Sequence, residues 1–309
     1  MKTIGIDLGG TKMSAGLIEG PGTVREKVTL TRPVDQAGME KDPLKLAARL
    51  MGPDVAAIGL GAAGLVSWPD GTLVWGPNVV GRDIPFKDLL ESRFGLPTVV
   101  DNDANLAALA EARVGAARGR QHVLLVTLGT GIGGGNVIDG KIYRGRSFAG
   151  EVGHMVVDVG GPRCTCGQRG CWETFASGRR LDQIARDVAA ADPAGRTASL
   201  AGSGPAAGIH LTEAAIQGDP PAAQAVGEMG IWLGIGLASL VALLDPEVIV
   251  VGGGAARVGD ILLDPARQSM MSTLEGSAFR EPTPLVAAGL GEDAGIVGAG
   301  LVAAELARG

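Results

Sequence analysis

The sequence is poor in aromatic residues, in basic residues and in cysteine, and each shortage limits what the protein can be. Phe, Trp and Tyr make up 3% of the 309 residues, so the hydrophobic cores must be built mainly from Val, Leu, Ile and Ala. Lys and Arg (27) are fewer than Asp and Glu (33), and the formal net charge of -6 argues against a general nucleic-acid binder, which presents a basic face. The three cysteines are too few, and odd in number, for a disulfide framework.

Long uninterrupted apolar runs are also missing. The first apolar run is broken by Asp7, and the run at 231–244 contains Gly and Ser and stops at Asp245. Neither has the length and composition of a signal peptide or a membrane span. Together with thiols that are free or metal-bound, this predicts a cytoplasmic protein. A chain of this length exceeds what one compact core usually accommodates, so two domains are expected.

All three cysteines fall in one Gly-rich segment that also contains a histidine. Imidazole and thiolate are the ligands that zinc prefers, and four of them close a tetrahedral shell without a position for an activated water. The predicted zinc is therefore structural, and it would fix the loop together with the flanking Glu151 and Glu173. A disulfide is less favoured, because Cys-x-Cys is too short for ordinary bridge geometry. The predicted zinc ligands are His154, Cys164, Cys166 and Cys171.

Two Gly-rich hairpins are predicted at a fixed offset. Apolar strands at 3–7 and 13–18 flank the turn LGGTK, and a strand at 123–128 precedes GTGIGGG and NVIDG. Gly9 pairs with Gly129, Ile18 with Ile138 and Gly20 with Gly140, each 120 positions apart (129 − 9, 138 − 18, 140 − 20). This indicates an internal duplication with one hairpin in each domain.

The first hairpin turn has features suited to a nucleotide phosphate. Successive glycine amides make an anion nest, and the Thr11 hydroxyl and Lys12 ammonium suit phosphate oxygens. Asp7, at the end of the strand, could hold Mg²⁺ directly or through water. A third Gly-rich turn, at 252–254, follows a strand at 247–251 and suits a nucleotide or only a tight turn. Two such hairpins are typical of the actin-like, ribonuclease-H-like ATPases, in which the nucleotide lies between two similar domains.

Helices and strands alternate between the hairpins, which indicates a mostly parallel sheet. Strands are predicted at 55–61 and 98–100, and a helix at 86–94. The second strand leads into Asp-Asn-Asp-Ala-Asn at 101–105 and an alanine-rich helix that ends near Gly115. These polar residues are more than a helix cap requires, and open α/β sheets place ligand chemistry at this end of a strand. Asn78, in a Gly-Pro loop, is either a turn residue or a contributor to the same cleft.

The second half is predicted to contain helices at 176–191, 211–217 and 222–244, with a loop or insertion at 192–208. A last strand is expected at 285–288 and a last helix at 295–307, which returns to the first domain. His122 and His210 are interpreted as surface or capping residues. The predicted domains are therefore 1–115 plus 295–309, a smaller α/β domain, and 116–294, a larger α/β domain with the zinc loop.

A nucleotide between two such hairpins needs an acceptor and a group to take the acceptor's proton. Asp103 is the candidate general base for an attacking hydroxyl. Carbonyls, an amide and carboxylates that can bond vicinal hydroxyls suit a sugar and are poor for a lipid. They belong to Asn78, Asn102, Glu151, His154 and Glu173.

Motifs over nearly the whole chain resemble the ROK family (repressors, open reading frames and sugar kinases). In chain order they are DLGGTK at 7–12, GPN at 76–78, NDAN at 102–105, LGTGIGGG at 128–135, EVGH at 151–154, CTCGQRGCWE at 164–173 and VGGG at 251–254. The resemblance implies an actin-like two-domain α/β fold and a kinase that uses ATP and Mg²⁺, contains a structural Zn²⁺ and phosphorylates O6 of a hexose. GAAGLV at 61–66 is most similar to the bacterial ATP-dependent glucokinases of the family, so glucose is the expected hexose. The family also implies a homodimer or homotetramer.

The resemblance assigns roles by position. It implies Asp103 as the general base and zinc on the four ligands given above. The implied sugar contacts are Asn78, Asn102, Asp103, Glu151, His154 and Glu173. The expected nucleotide contacts are Asp7, Gly9, Gly10, Thr11, Lys12, Thr130, Gly131, Gly253 and Gly254.

Other functions remain open at this point. A sugar-sensing repressor of the family would carry a helix-turn-helix domain ahead of the kinase-like part, and the first strand is expected already at about Thr3. A nucleotide-driven chaperone or filament module would not need the Cys/His loop or the NDAN junction. Among kinases, rival hexoses are N-acetylmannosamine, N-acetylglucosamine, fructose, mannose and allose, and polyphosphate is a rival donor.

Overall fold

The computed structural model describes residues 1–10, 12–76 and 79–309. Thr11 and Asn78, both predicted to bind ligands, lie outside the described residues. The described strands are β1 (Lys2–Leu8), β2 (Lys12–Glu19), β3 (Thr23–Thr31), β4 (Val55–Ala62), β5 (Leu65–Ser67), β6 (Thr72–Trp75), β7 (Ile84–Pro85), β8 (Thr98–Asn102), β9 (Val123–Leu128), β10 (Ile132–Ile138), β11 (Lys141–Ile142), β12 (Val248–Gly252) and β13 (Leu285–Ala287).

The α-helices are α1 (Gln36–Leu50), α2 (Phe86–Phe94), α3 (Asp103–Val114), α4 (Glu173–Ala176), α5 (Gly178–Ala191), α6 (Arg196–Ala201), α7 (Gly208–Ile216), α8 (Pro220–Leu244), α9 (Asp260–Thr273) and α10 (Ala294–Leu306). Short 3₁₀ segments lie at Val152–His154, Gly254–Val258, Ser277–Phe279 and Gly291–Asp293.

The two five-stranded sheets have the same strand order. The first is β3-β2-β1-β4-β8 and the second β11-β10-β9-β12-β13. Adding 120 to the bounds of β2 gives 132–139, which is within one residue of the observed β10. The internal duplication predicted from the repeated hairpin is therefore confirmed.

In the first sheet β1 is antiparallel to β2 and parallel to β4, and β4 is parallel to β8. The carboxyl ends of β1, β4 and β8 therefore meet at one edge, where Asp7 and Asn102 lie. β5, β6 and β7 form a separate small antiparallel sheet.

The chain divides into two compact units. The first contains residues 1–125, 135–150 and 288–309, and the second residues 126–134 and 151–287. The segments 116–125, 135–150 and 288–294 belong to the first unit, whereas the sequence pattern predicts them in the second domain.

The core of the first unit has two faces. One is a cluster of Ile, Leu, Met and Val from β1, β2, β4, α1 and α2. On the other face α10 packs against β1 and β4, and glycines permit this approach. A Cβ at Gly5 or Gly59 would overlap the carbonyl oxygen of Ile296 or Ala299. The predicted return of the last helix to the first domain is thus observed.

In the second unit, α8 packs on α9 through its small residues. A Cβ at Gly230 would lie 2.5 Å from the carbonyl oxygen of Leu262, and one at Gly234 would meet that of Ala266. Within the described residues, α8 is the one helix long and apolar enough to cross a membrane, yet 56% of its most apolar stretch is buried. Because more than half of that stretch is buried, the apolar composition of α8 also fits a core helix.

The prediction of a loop at 192–208 was wrong in part, because α6 occupies Arg196–Ala201. Its Gly/Ser-rich surroundings obscured a short run of helix-forming residues, and Thr197 within it is buried.

Candidate active site

Two neighbouring residues at the junction between β8 and α3 have different roles: Asn102 caps the helix, and Asp103 begins it. Asn102 caps α3, since its Oδ1 accepts from the amides of Ala104 (2.9 Å) and Asn105 (3.2 Å). Its Nδ2 donates to the carbonyl of Gly64 at 3.1 Å and has one hydrogen left for a ligand. Asp103, the first residue of α3, accepts hydrogen bonds from the Ala104 amide at 2.8 Å and from its own backbone amide. Its carboxylate retains the capacity to accept a proton.

Asp103 and Asp7 influence each other's ionisation. Desolvation by burial raises the pKa of Asp103 to about 6, against the opposing effect of the Ala104 amide. Burial, followed by the charge of Asp103, raises the pKa of Asp7 to about 7, while Lys12 and Lys27 oppose the rise. Two carboxylates that interact in this way titrate as a pair. Near neutral pH the pair is poised to take up one proton, which a general base requires.

The first hairpin turn places Lys12 opposite a residue far along the chain. Its Nζ lies 2.5 Å from Oε2 of Glu292, in the 3₁₀ segment before α10. Gly9 and Gly10 form the turn at the carboxyl end of β1, where a Cβ on Gly9 would lie 3.2 Å from the carbonyl oxygen of Lys12. Glu292 was missed by sequence reasoning, because nothing local connects two exposed charges 280 positions apart.

A buried ion pair braces the same junction. Asp101 is 3% exposed and accepts from Nε of Arg144 at 2.7 Å and from Nδ2 of Asn105 at 3.0 Å. The Arg144 guanidinium also lies 3.7 Å from the centre of the Trp68 ring, within cation–π range. Sequence reasoning placed Asp101 in the polar junction but gave no signal for Arg144.

In the second unit, the four predicted zinc ligands come together. Their ligand atoms all lie within 4.8 Å of one another. Sγ of Cys166 is 3.6 Å from Sγ of Cys171, and Sγ of Cys164 is 3.7 Å from Nδ1 of His154. Tetrahedral zinc with bonds of about 2.3 Å separates its ligand atoms by roughly 3.7 Å. The cluster therefore fits a structural zinc, and His154 would bind it through Nδ1 and keep Nε2 for another partner.

Burial shapes the chemistry of these thiols. Desolvation, followed by the hydrogen bond to Glu173, raises the pKa of the Cys164 thiol above its ordinary value. Desolvation also raises the pKa of Cys171. Without a cation the thiols of Cys164 and Cys171 are thus held in the protonated form, and a zinc ion would supply the positive charge that stabilises thiolates.

Glu173 adjoins the cluster and is held in a tight site. Its Oε1 accepts from Sγ of Cys164 at 3.0 Å and lies 3.9 Å from Nδ1 of His154. A Cβ at Gly131 would overlap Oε2 of Glu173, so only glycine permits this approach. Glu151 precedes the 3₁₀ segment that contains His154, and its carbonyl accepts from the His154 amide at 3.1 Å. The structure therefore brings three predicted sugar-binding residues of this unit to one zinc loop.

A cavity of about 610 Å³ lies in the second unit beside the repeat hairpin. Thr130 and Gly254, both predicted to bind nucleotide, line it together with the apolar Ile209, Ile216 and Val258. Polar groups at its edge are Arg179, Asp182, Thr212, Glu213 and Arg257. This size and mixture are typical of a small-molecule site.

Gly253 lies next to this cavity in a conformation that favours glycine. Its φ is +89°, and a Cβ there would lie 2.5 Å from the carbonyl oxygen of Leu128. The turn after β12 is therefore packed directly against β9.

The duplicated sheets, with a Gly-rich hairpin in each and an acidic residue at the end of β1, define an actin-like ATPase fold of the sugar-kinase type. The chain belongs to the ROK family, whose family model matches residues 3–305.

Three relatives illustrate the likeness. The glucokinase of Streptomyces coelicolor is 41% identical over 99% of this chain and 97% of its own length. The crystal structure of a ROK family glucokinase from Streptomyces griseus in complex with glucose and AMPPNP is 42% identical, covers 99% of this chain and 100% of its own, and has a TM-score of 0.90. The ROK hexokinase from Thermus thermophilus is 37% identical over 100% of both chains, with a TM-score of 0.80.

Proposed function

We propose that this chain is an ATP-dependent glucokinase, which transfers the γ-phosphate of ATP to the O6 hydroxyl of glucose. The Streptomyces coelicolor relative is a glucokinase, and the Streptomyces griseus structure holds glucose together with AMPPNP, an ATP analogue. The observation that carries the proposal is the carboxylate of Asp103, which lies at the start of α3 beside the capping Asn102 and has a pKa of about 6.

Asp103 is the general base in this proposal. It accepts the proton of O6 as the bond from O6 to the γ-phosphorus forms and the bond from that phosphorus to the β–γ bridging oxygen breaks. The electron pair of the broken bond leaves with ADP. Because phosphoryl transfer is mainly positioning and charge neutralisation, the orientation of O6 is the protein's main task.

Polar side chains bind the sugar in this proposal. The free Nδ2 hydrogen of Asn102, Nε2 of His154 and the carboxylates of Glu151 and Glu173 suit the hydroxyls of a hexose. With Nδ1 bound to zinc, His154 would have a fixed orientation and tautomer, so that Nε2 would present one defined hydrogen-bonding group. Asn78 is assigned a sugar contact on its motif alone.

The nucleotide is bound by the Gly-rich turns. Gly9, Gly10, Thr11 and Lys12 bind phosphate oxygens, and Thr130, Gly131, Gly253 and Gly254 serve the phosphates or adenosine. The 610 Å³ cavity suits the base and ribose. Asp7 would hold Mg²⁺, which would supply positive charge to neutralise the phosphates. The raised pKa of Asp7 means that a cation must displace a proton there near neutral pH.

The test is a coupled assay that follows ADP release. ADP must appear with ATP and glucose together and not with ATP alone. Absence of ADP release with any hexose would contradict the proposal and favour a sugar-sensing or filament-type role.

The protein is further proposed to act in the cytoplasm as a homodimer or homotetramer, without nucleic-acid partners. The acidic chain argues against nucleic-acid partners, and reduced or metal-bound thiols favour the cytoplasm. The oligomeric state is proposed from the family resemblance alone.

A further inference from the structure

A buried glutamate near the end of α3 has no part in the mechanism above. Glu111 is 0% exposed, and its carboxylate accepts from three backbone amides: Ala116 (2.7 Å), Gly289 (3.1 Å) and Leu290 (2.8 Å). Burying a carboxylate is costly unless such donors compensate it, and bonds to a charged acceptor are strong. The group therefore marks a place where two distant segments are held together with high specificity.

The segment that Glu111 holds, residues 289–295, runs past the first hairpin. Oε2 of Glu292 lies 2.5 Å from Nζ of Lys12, and Oδ1 of Asp293 lies 2.5 Å from Nζ of Lys27. A Cβ at Gly295 would lie 2.8 to 3.0 Å from the carboxyl atoms of Asp7. The 289–295 segment thus contacts Asp7 and Lys12, which are the charged nucleotide-binding residues of the first unit.

The same helix also carries the general base. Asp103 is the first residue of α3, and Glu111 follows eight positions later, about 12 Å along a rigid helix. One helix therefore fixes Asp103 at one end and, through Glu111, the 289–295 segment at the other.

We infer that Glu111 is a positioning residue for the nucleotide phosphates and Mg²⁺: it holds the 289–295 segment against Asp7 and Lys12. The inference rests on the proposed kinase function. Glu111 touches no substrate and acts through the backbone of Gly289 and Leu290. Displacing this segment moves Lys12 and opens space beside Asp7, which weakens nucleotide binding before it affects the sugar.

Glu111→Gln tests this with little change in size. The new amide nitrogen donates and cannot accept, so at least one of the three backbone amides loses its partner. The KM for ATP is expected to rise between about tenfold and a hundredfold, while the KM for glucose stays within about twofold. Glu305→Gln is the matched control, since this exposed carboxylate on α10 faces Arg113 at 3.3 Å and should leave both KM values unchanged.

A second variant tests the contact between the 289–295 segment and Asp7 directly. Gly295→Ala keeps the Glu111 bonds and favours the helix, yet places a methyl group against Asp7. It is expected to raise the KM for ATP and not the KM for glucose. If Glu111→Gln does not fold, this variant alone tests the positioning role.

Three results separate the possibilities. An unchanged KM for ATP in Glu111→Gln overturns the inference, as does an equal rise in both KM values with a lowered Tm. If the wild type releases no ADP with any hexose, the proposed function fails. Calorimetric titration with MgADP then still tests the positioning role, because Glu111→Gln must bind MgADP more weakly than Glu305→Gln.

Discussion

At the residue scale, Asp103 as the proposed general base has to combine proton affinity with access to a substrate. Asn102 caps α3 through the amides of Ala104 and Asn105, and Asp103 shares the first of these amides. Desolvation raises the pKa of Asp103 to about 6, and the pKa of Asp7 is raised to about 7. A carboxyl group of ordinary pKa would be a weaker base at neutral pH, so burial here favours function over stability.

Asp103→Asn should keep hexose binding and lose turnover. The amide preserves size and hydrogen bonding but cannot take the proton, so kcat should fall by about a hundredfold to ten-thousandfold. Steady-state kinetics give kcat, and calorimetric titration with glucose gives the binding constant. Near-normal turnover would remove Asp103 from the role of base.

The pH dependence of kcat/KM follows from the same pKa values. Asp103 must be ionised to act, and its pKa is raised from 3.8 to about 6, so activity is present above about pH 6 and is lost as pH falls through that value. Asp7 should extend the decline toward pH 7 when Mg²⁺ is limiting. Rates measured between pH 5 and 9 at high and low Mg²⁺ check this, and an acidic limb near pH 4 would contradict it.

At the element scale, the zinc loop depends on its metal, because residues 154–171 have little regular structure of their own. Cys166→Ser should lower the zinc content from one atom per chain to near zero and weaken glucose binding through His154. Elemental analysis by mass spectrometry measures the metal. Thr165→Ser, at the neighbouring position, is the control and should keep zinc. Unchanged zinc in Cys166→Ser would exclude it as a ligand.

Elements with strong local signals could be predicted from the sequence. Apolar runs that end at or near a glycine predicted β1, β2, β9 and β12 to within one residue at each end, and the clustered cysteines predicted the group of four side chains that could hold zinc. Other elements carry weak signals. β3 is mostly exposed and contains Arg25, Glu26 and Lys27, and α1 has Pro43 in its interior. Contacts between distant segments, such as Arg144 with Asp101, depend on the folded topology and leave no local pattern.

At the scale of the whole molecule, the preference for one sugar and one phosphate donor depends on many contacts made together. We expect glucose with ATP to give the highest kcat/KM in a panel with mannose, fructose, allose, N-acetylglucosamine, N-acetylmannosamine and polyphosphate. An added acetamide or an inverted hydroxyl leaves buried polar groups unpaired, which is heavily penalised. A higher kcat/KM for an N-acetylated hexose or for polyphosphate would contradict the assignment.

The packing of α10 has a consequence for how the protein is made. Residues 294–306 complete the first unit, where Ala299, Val302 and Ala303 share a buried cluster with Ala57, Val99, Leu106 and Leu109. Residues 1 to 303 must therefore all be synthesised before that core can close, although its strands emerge first. The second unit, contained within residues 126–287, has all its parts earlier. During synthesis the second unit can therefore fold before the first. Until α10 has been made, one apolar face of the first sheet stays exposed.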